Sequence, residues 1–237
     1  MLAQPMLMNI TTEDWVRHHL HRRRAEFTEY HDLVVATATM NVQGRRPEDA
    51  AKLVQWLRYD QQPRSTMEPD IIAIALQGVV RPNVINATIS SCQVEKRSQC
   101  WANVLLVMLN THIASNTYRQ VISKRHMDSL IVVFVHRKHA ENVSEVHSST
   151  ARLGLMSRNG AVAVRLTLYN SALCFVCAHF RNRQTITKLN AQCADVLAKL
   201  NLEYRTGSMT SPVFVDDKVF WLGEMNYGFS GQPSREE

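Results

Sequence analysis

Ala161 to Tyr169, AVAVRLTLY, and Ala172 to Phe180, ALCFVCAHF, are two apolar runs parted only by Asn170 and Ser171. Valine, leucine, threonine and phenylalanine suit a pleated, covered surface, so the pair is predicted to form a β-hairpin across Asn170–Ser171. Cys174 and Cys177 make a C-x-x-C inside the second run, but no second pair completes a zinc site, and both read as packing within a buried strand.

Outward from the hairpin the pattern repeats. Ile186 to Tyr204 is predicted to be an amphipathic helix with Ile186, Leu189, Cys193, Val196, Leu197 and Leu200 on one face, and Val213 to Leu222 a last strand. Towards the N-terminus, Ser129 to His136, Asp70 to Leu76 and Leu33 to Met40 read as strands, the last closing in a turn at Asn41-Val42-Gln43-Gly44. Pro47-Glu48-Asp49 opens a predicted helix through Leu57, and the apolar Gln99 to Asn110 is helix or strand. Strands alternating with helices point to an α/β layered sandwich.

Composition bounds the partners. The 237 residues carry a formal net charge of +6, from 27 Lys and Arg against 21 Asp and Glu, which favours phosphorylated lipids, soluble inositol phosphates or nucleic acid without choosing among them. Five cysteines, an odd number lying largely in apolar runs, suit a reducing compartment, and the cytoplasm is the expected location. Met1 to Ile10 lacks the form of a signal peptide, and the longest clean apolar run, Leu130 to Val135, is far too short to span a bilayer. The sequons at Asn9, Asn86 and Asn142 are accordingly expected to be unused. Residues 1–32 read as a basic extension ahead of one domain at 33–237. Within it, Trp15 to Tyr30 is predicted to hold a short helix whose His18, His19, His21, Arg22, Arg23 and Arg24 form a solvated face, because clustered cations repel a metal.

Six blocks in order then resemble the inositol polyphosphate 5-phosphatase family. Thr39-Met40-Asn41-Val42-Gln43-Gly44 is similar to its T-W/Y-N-V-N-G opening, and Asp70 to Gly78, DIIAIALQG, to its D-x-x-x-x-G-F-Q-E block. IVVFVHRKHAENVS at Ile131 to Ser144, the glycine-bearing Gly154 to Val164, SALCFVCAHF at Ser171 to Phe180 and VFWLGEMNY at Val219 to Tyr227 resemble the four that follow. Type II and oculocerebrorenal-type phosphatases are the nearest flavour. The resemblance implies a DNase-I-like (endonuclease/exonuclease/phosphatase) α/β fold, a four-layer sandwich of two face-to-face sheets flanked by helices, with the active site at one end.

It also implies roles. Asn41 and the acidic residue of the G-D-x-N block, here Glu224, would help to hold magnesium, and His179 would bind the scissile phosphate with Glu224 and Asn226 completing the catalytic group. Arg158 and Asn159, with His179, would meet substrate phosphates. Several positions depart from the pattern: the metal-site Glu is Gly78, Glu224 is one methylene longer than the family Asp, the substrate-facing lysine position is Asn159, and the chain ends eleven residues after Asn226 without the family's final Asp-His block. Magnesium needs hard oxygen ligands held in near-octahedral geometry, so these changes lead to an expectation of weak or lost phosphoester hydrolysis on a sandwich incomplete at its C-terminus. The alternative is a non-catalytic module that binds a phosphoinositide or inositol phosphate and contacts the membrane surface peripherally. No nucleic-acid partner is expected, since the blocks favour the phosphatase pattern and no aromatic-interleaved basic groove is evident.

Overall fold

The central strands are covered on both faces, and this explains their unbroken apolar runs. The computed structural model describes residues 11–47, 53, 56–57, 68–80, 91–113, 117–154, 159–200, 204–206, 209–211 and 218–228. Two units separate, Met1–Leu33 and Val34–Glu237.

In the first unit, α1 (Thr12–Arg22) starts at a capping box in which Thr11 and Asp14 satisfy each other's backbone N–H, and it runs into a 3-10 turn at Arg24–Glu26. None of its residues is buried.

The second unit holds two four-stranded sheets. One has the order β1 (Val35–Asn41), β2 (Ile71–Gln77), β4 (Ser129–His136), β3 (Tyr118–His126). The other has β10 (Lys218–Glu224), β7 (Ser171–His179), β6 (Gly160–Leu168), β5 (Val143–Arg152). A short ribbon joins β8 (Tyr204–Thr206) and β9 (Met209–Ser211). Successive side chains of a strand point to opposite faces. Ile72, Ile74 and Leu76 of β2, with Leu130, Val132 and Phe134 of β4, thus pack outward under Trp101, Ala102 and Leu105 of α2 (Ser91–Met108). Ile71, Ala73, Ala75, Ile131 and Val133 are equally buried on the other face, where β2 and β4 meet β6 and β7. On the far side, α3 (Ile186–Lys199) lays Leu189 and Val196 over Ala161, Ala163, Cys174, Val176 and Ala178.

The apolar segment at Gln99 to Asn110, left open between helix and strand, belongs to α2 and the π-helical turn Leu109–Ile113 that follows it. Four expectations need correction. The hairpin turns at Tyr169–Asn170, one residue early, because Leu168 pairs with Ser171 and Tyr169 takes the left-handed turn at φ 53°. The last helix stops at Lys199, where Leu200 becomes extended, and Tyr204 lies in a strand instead. Ile186 and Leu197 are 64% and 39% exposed, so its covered face is the narrower stripe of Leu189, Cys193, Val196 and Leu200. Strands β3 and β5 were not foreseen. Their alternation is broken by bulges between Gln120 and Ile122 and between Ser144 and His147, and polar residues fill both. The predicted helix from Pro47 falls largely outside the described residues, with Leu53, Trp56 and Leu57 helical.

Cys174 and Cys177 are buried free thiols in β7, and burial pushes Cys177 up to about 12. Among the described residues no helix is long and apolar enough to cross a membrane.

Candidate functional site

Strands β1 and β2 run parallel, as do β10 and β7. The C-terminal ends of β7 and β10 therefore finish side by side, and the register sets Glu224 opposite His179. That alignment needs Gly223. At φ 114° a Cβ there would lie 2.0 Å from the Ala178 carbonyl oxygen, a distance no side chain tolerates. Beyond the strand, Asn226 adopts φ 57° and donates its Nδ2 hydrogen bond to the Phe180 carbonyl at 2.9 Å, while Phe180 N–H donates to Glu224 O at 2.9 Å. Asn226 thus fastens the two strand ends.

The side chains of His179, Glu224 and Asn41 converge at this end. Asn41 Nδ2 donates to Glu224 Oε2 at 2.6 Å, and His179 Nε2 lies 3.7 Å from the same oxygen. The other imidazole nitrogen, Nδ1, is 3.2 Å from Asp128 Oδ1. Asp128 is buried in the β3–β4 turn, and its carbonyl accepts Val79 N–H at 2.9 Å. Sequence reasoning missed it because the hairpin that presents it was not foreseen, and an acid between two strands carries no motif. A carboxylate against Nδ1 orients an imidazole and fixes which ring nitrogen carries the proton.

The surroundings are cationic. Arg125 donates to the Met127 carbonyl at 2.8 Å and Arg152 Nη2 lies 3.4 Å from the Met127 sulfur, so two guanidinium groups stand beside the Asp128 turn. Burial lowers the pKa of His126, and their charges add to this while Asp128 opposes them. Gly160 pairs with His179 across β6 and β7 and approaches His126 so closely that a Cβ would fall 3.2 Å from its Cδ2. Asn159 stands at the foot of β6, where its carbonyl accepts Leu153 N–H at 3.1 Å. Arg158 lies outside the described residues.

The two expected metal ligands are engaged with each other. The Asn41 amide hydrogen faces the Glu224 carboxylate, and the amide oxygen accepts Gln43 N–H at 2.9 Å in a local turn. Gly78, at φ 65°, offers no side chain. Among the described residues no three His, Cys, Asp or Glu side chains gather as a metal-holding group. Magnesium takes carboxylate and carbonyl oxygens in strict octahedral geometry. Of the expected donors, Asn41 Oδ1 and Glu224 Oε2 already hold hydrogen bonds and position 78 offers none, which leaves the second Glu224 oxygen and water to meet such an ion.

Comparison with known proteins places these features among relatives. A family described as Endonuclease/Exonuclease/phosphatase family 2 matches residues 38–237. Human synaptojanin-1 is 29% identical over 183 residues, covering 76% of this chain and 11% of its own length. The mouse type II inositol 1,4,5-trisphosphate 5-phosphatase is 23% identical over 218 residues, covering 90% of this chain and 20% of its own. The chain thus spans a fifth or less of these relatives. A crystal structure of the inositol polyphosphate 5-phosphatase domain of SPsynaptojanin, in complex with inositol (1,4)-bisphosphate and calcium ion, superposes with a TM-score of 0.72 at 23% identity, over 90% of this chain and 58% of that one. The shared fold is the DNase-I-like sandwich expected from the sequence blocks.

Proposed function

Because this chain belongs to Endonuclease/Exonuclease/phosphatase family 2, we propose that it carries an inositol polyphosphate 5-phosphatase-type site that binds inositol phosphates or phosphoinositides and hydrolyses them weakly or not at all. The observation that carries this reading is His179 held between Asp128 and Glu224, beside Asn41, in a cationic setting. Asp128 positions Nδ1, which leaves Nε2 to meet a phosphate oxygen with a charge-assisted hydrogen bond. The arginines near His126 draw the polyanion in.

Hydrolysis is attenuated on this reading for a reason of geometry. In-line attack on a phosphate needs charge neutralisation of the phosphoryl oxygens and a positioned water. The family supplies the first with a divalent metal, expected to be magnesium, but Gly78 and the Asn41–Glu224 hydrogen bond leave its oxygen ligands missing or occupied. A non-catalytic binding module is the second reading, favoured by that same hydrogen bond. The ligand class suits a cytoplasmic protein in peripheral contact with a membrane surface.

The test is titration calorimetry with inositol 1,4,5-trisphosphate, alongside phosphate release in magnesium and in EDTA. Binding is expected to fall about tenfold or more in His179→Ala, as for loss of a charged hydrogen bond. It is expected to be nearly indifferent to magnesium. Unchanged binding in His179→Ala refutes the site, and brisk magnesium-dependent turnover refutes the attenuation.

A further inference from the structure

In the unit Met1–Leu33, α1 gathers its apolar side chains on one stripe. Trp15, Val16 and Leu20 are 55%, 42% and 55% exposed, and Phe27, past the 3-10 turn, is 62% exposed. With His19 and Arg23 they line one shallow groove of about 400 Å³. An apolar stripe of this kind has a cost in water that a second surface relieves.

Charge indicates which surface. The stretch Arg17 to Arg24 holds four arginines and three histidines with no acid among them. The unit holds five acids: Asp14 completes the capping box with Thr11, Glu26 pairs with Arg23 at 2.6 Å, Glu29 lies 3.4 Å from His31, and Glu13 and Asp32 fall outside the arginine stretch. At 3.6 residues per turn, Arg17 and Arg22 fall on opposite flanks of the stripe, while Arg23 lies along it. Arg24 sits over the Tyr30 ring at 5.5 Å. A long cationic side chain beside apolar residues can lay its stem in the apolar layer and keep its head among polar groups. Tryptophan likewise combines an apolar body with a polar edge. Apolar stripe, flanking arginines and a tryptophan together describe a helix that lies in the plane of a bilayer interface.

We propose that α1 and the turn to Phe27 form an anchor for anionic lipid surfaces, with Trp15, Val16, Leu20 and Phe27 entering the acyl boundary and Arg17, Arg22 and Arg24 meeting acidic headgroups. A free inositol phosphate matches the arginines but offers nothing to the stripe, so the occupant is the membrane. The inference deepens the peripheral contact proposed above and rests on that reading for its choice of partner. It gives the membrane contact an element distinct from the His179 site.

The experiment is co-sedimentation of the full chain with vesicles of phosphatidylcholine alone or mixed with phosphatidylserine. Partition onto the mixed vesicles is expected to exceed that onto the neutral ones by about tenfold or more, since each arginine at the surface adds attraction. Leu20→Asp, and Arg17→Glu combined with Arg22→Glu, are each expected to lose about tenfold or more, whereas Trp15→Phe largely retains binding. Phosphatidylserine carries no inositol, so His179→Ala is expected to partition like the parent chain, and failure of the His179 site would leave this result standing. Equal partition onto both vesicle types, or undiminished binding by Leu20→Asp, overturns the anchor. So does a dimer, seen by light scattering, that Leu20→Asp dissociates.

Discussion

A side chain at position 78 has nowhere to go. Its Cβ would sit 2.5 Å from Asn41 Oδ1 and 3.1 Å from the Gln43 nitrogen, at a backbone φ of 65°. Restoring the family's glutamate by Gly78→Glu therefore forces Asn41 from its turn and strains the backbone, at a cost of about 2 kcal/mol or more. The expected outcome is a lower urea midpoint and no magnesium binding by calorimetry. Tight magnesium binding by the single variant would show that the loop around Asn41 yields, and that one substitution removed the metal. At this scale the sequence was legible where residues sat in ordered blocks: His179, Glu224 and Asn41 do meet. It was silent on Asp128, because a lone acid becomes informative only when a cross-sheet partner is known. Asn226, expected in the catalytic group, also donates its amide to the Phe180 carbonyl, a bond that depends on the parallel register of β10 and β7.

At the opposite end of the sandwich, elements are tied by one buried carboxylate. Asp70, just before β2, accepts Val34 N–H at 2.9 Å, pairs with Lys138 Nζ at 2.8 Å and lies 2.7 Å from His139 Nε2, whose Nδ1 is 2.8 Å from the Tyr169 hydroxyl. The start of β1, the start of β2, the 3-10 turn after β4 and the β6–β7 turn thus share one polar knot. Burial pushes the Asp70 carboxyl up, but Lys138, the Val34 N–H and His139 outweigh it and bring it from 3.8 to about 2. A folded-state value below the ordinary one means that the ionised form stabilises the fold above pH 3.8, and that this contribution is lost as pH falls towards about 2. Asp70→Asn is expected to lower stability at neutral pH and to flatten the acid limb between pH 4 and 2 in urea titrations. A parallel acid limb in parent and variant would show that the knot carries no pH-dependent stability. The sequence marked β2, β4, β6 and β7 because strands covered on both faces announce themselves as apolar runs. It did not mark β3 and β5, which flank the sheets and follow no clean alternation.

At the scale of the whole molecule, the two units differ in composition and burial. Every buried apolar residue among those described belongs to Val34–Glu237, beginning at Val42, and Asp70 grips that unit's first residue, Val34. The described residues of Met1–Leu33 contribute arginines, an apolar stripe and no buried side chain. Among the described residues, removing 1–32 thus takes away no buried side chain, and burial is the term that dominates stability. The shortened chain is expected to keep its melting temperature within about 2 °C, a shift that corresponds to about 0.5–1 kcal/mol for a domain of this size. It is also expected to bind inositol 1,4,5-trisphosphate like the parent through His179, while losing partition onto phosphatidylserine vesicles. Both properties failing together would mean that the extension is part of the folded domain. Vesicle binding surviving the deletion would move the membrane contact onto the basic end of the sandwich, near Arg125 and Arg152, and merge two surfaces that the fold keeps on separate elements.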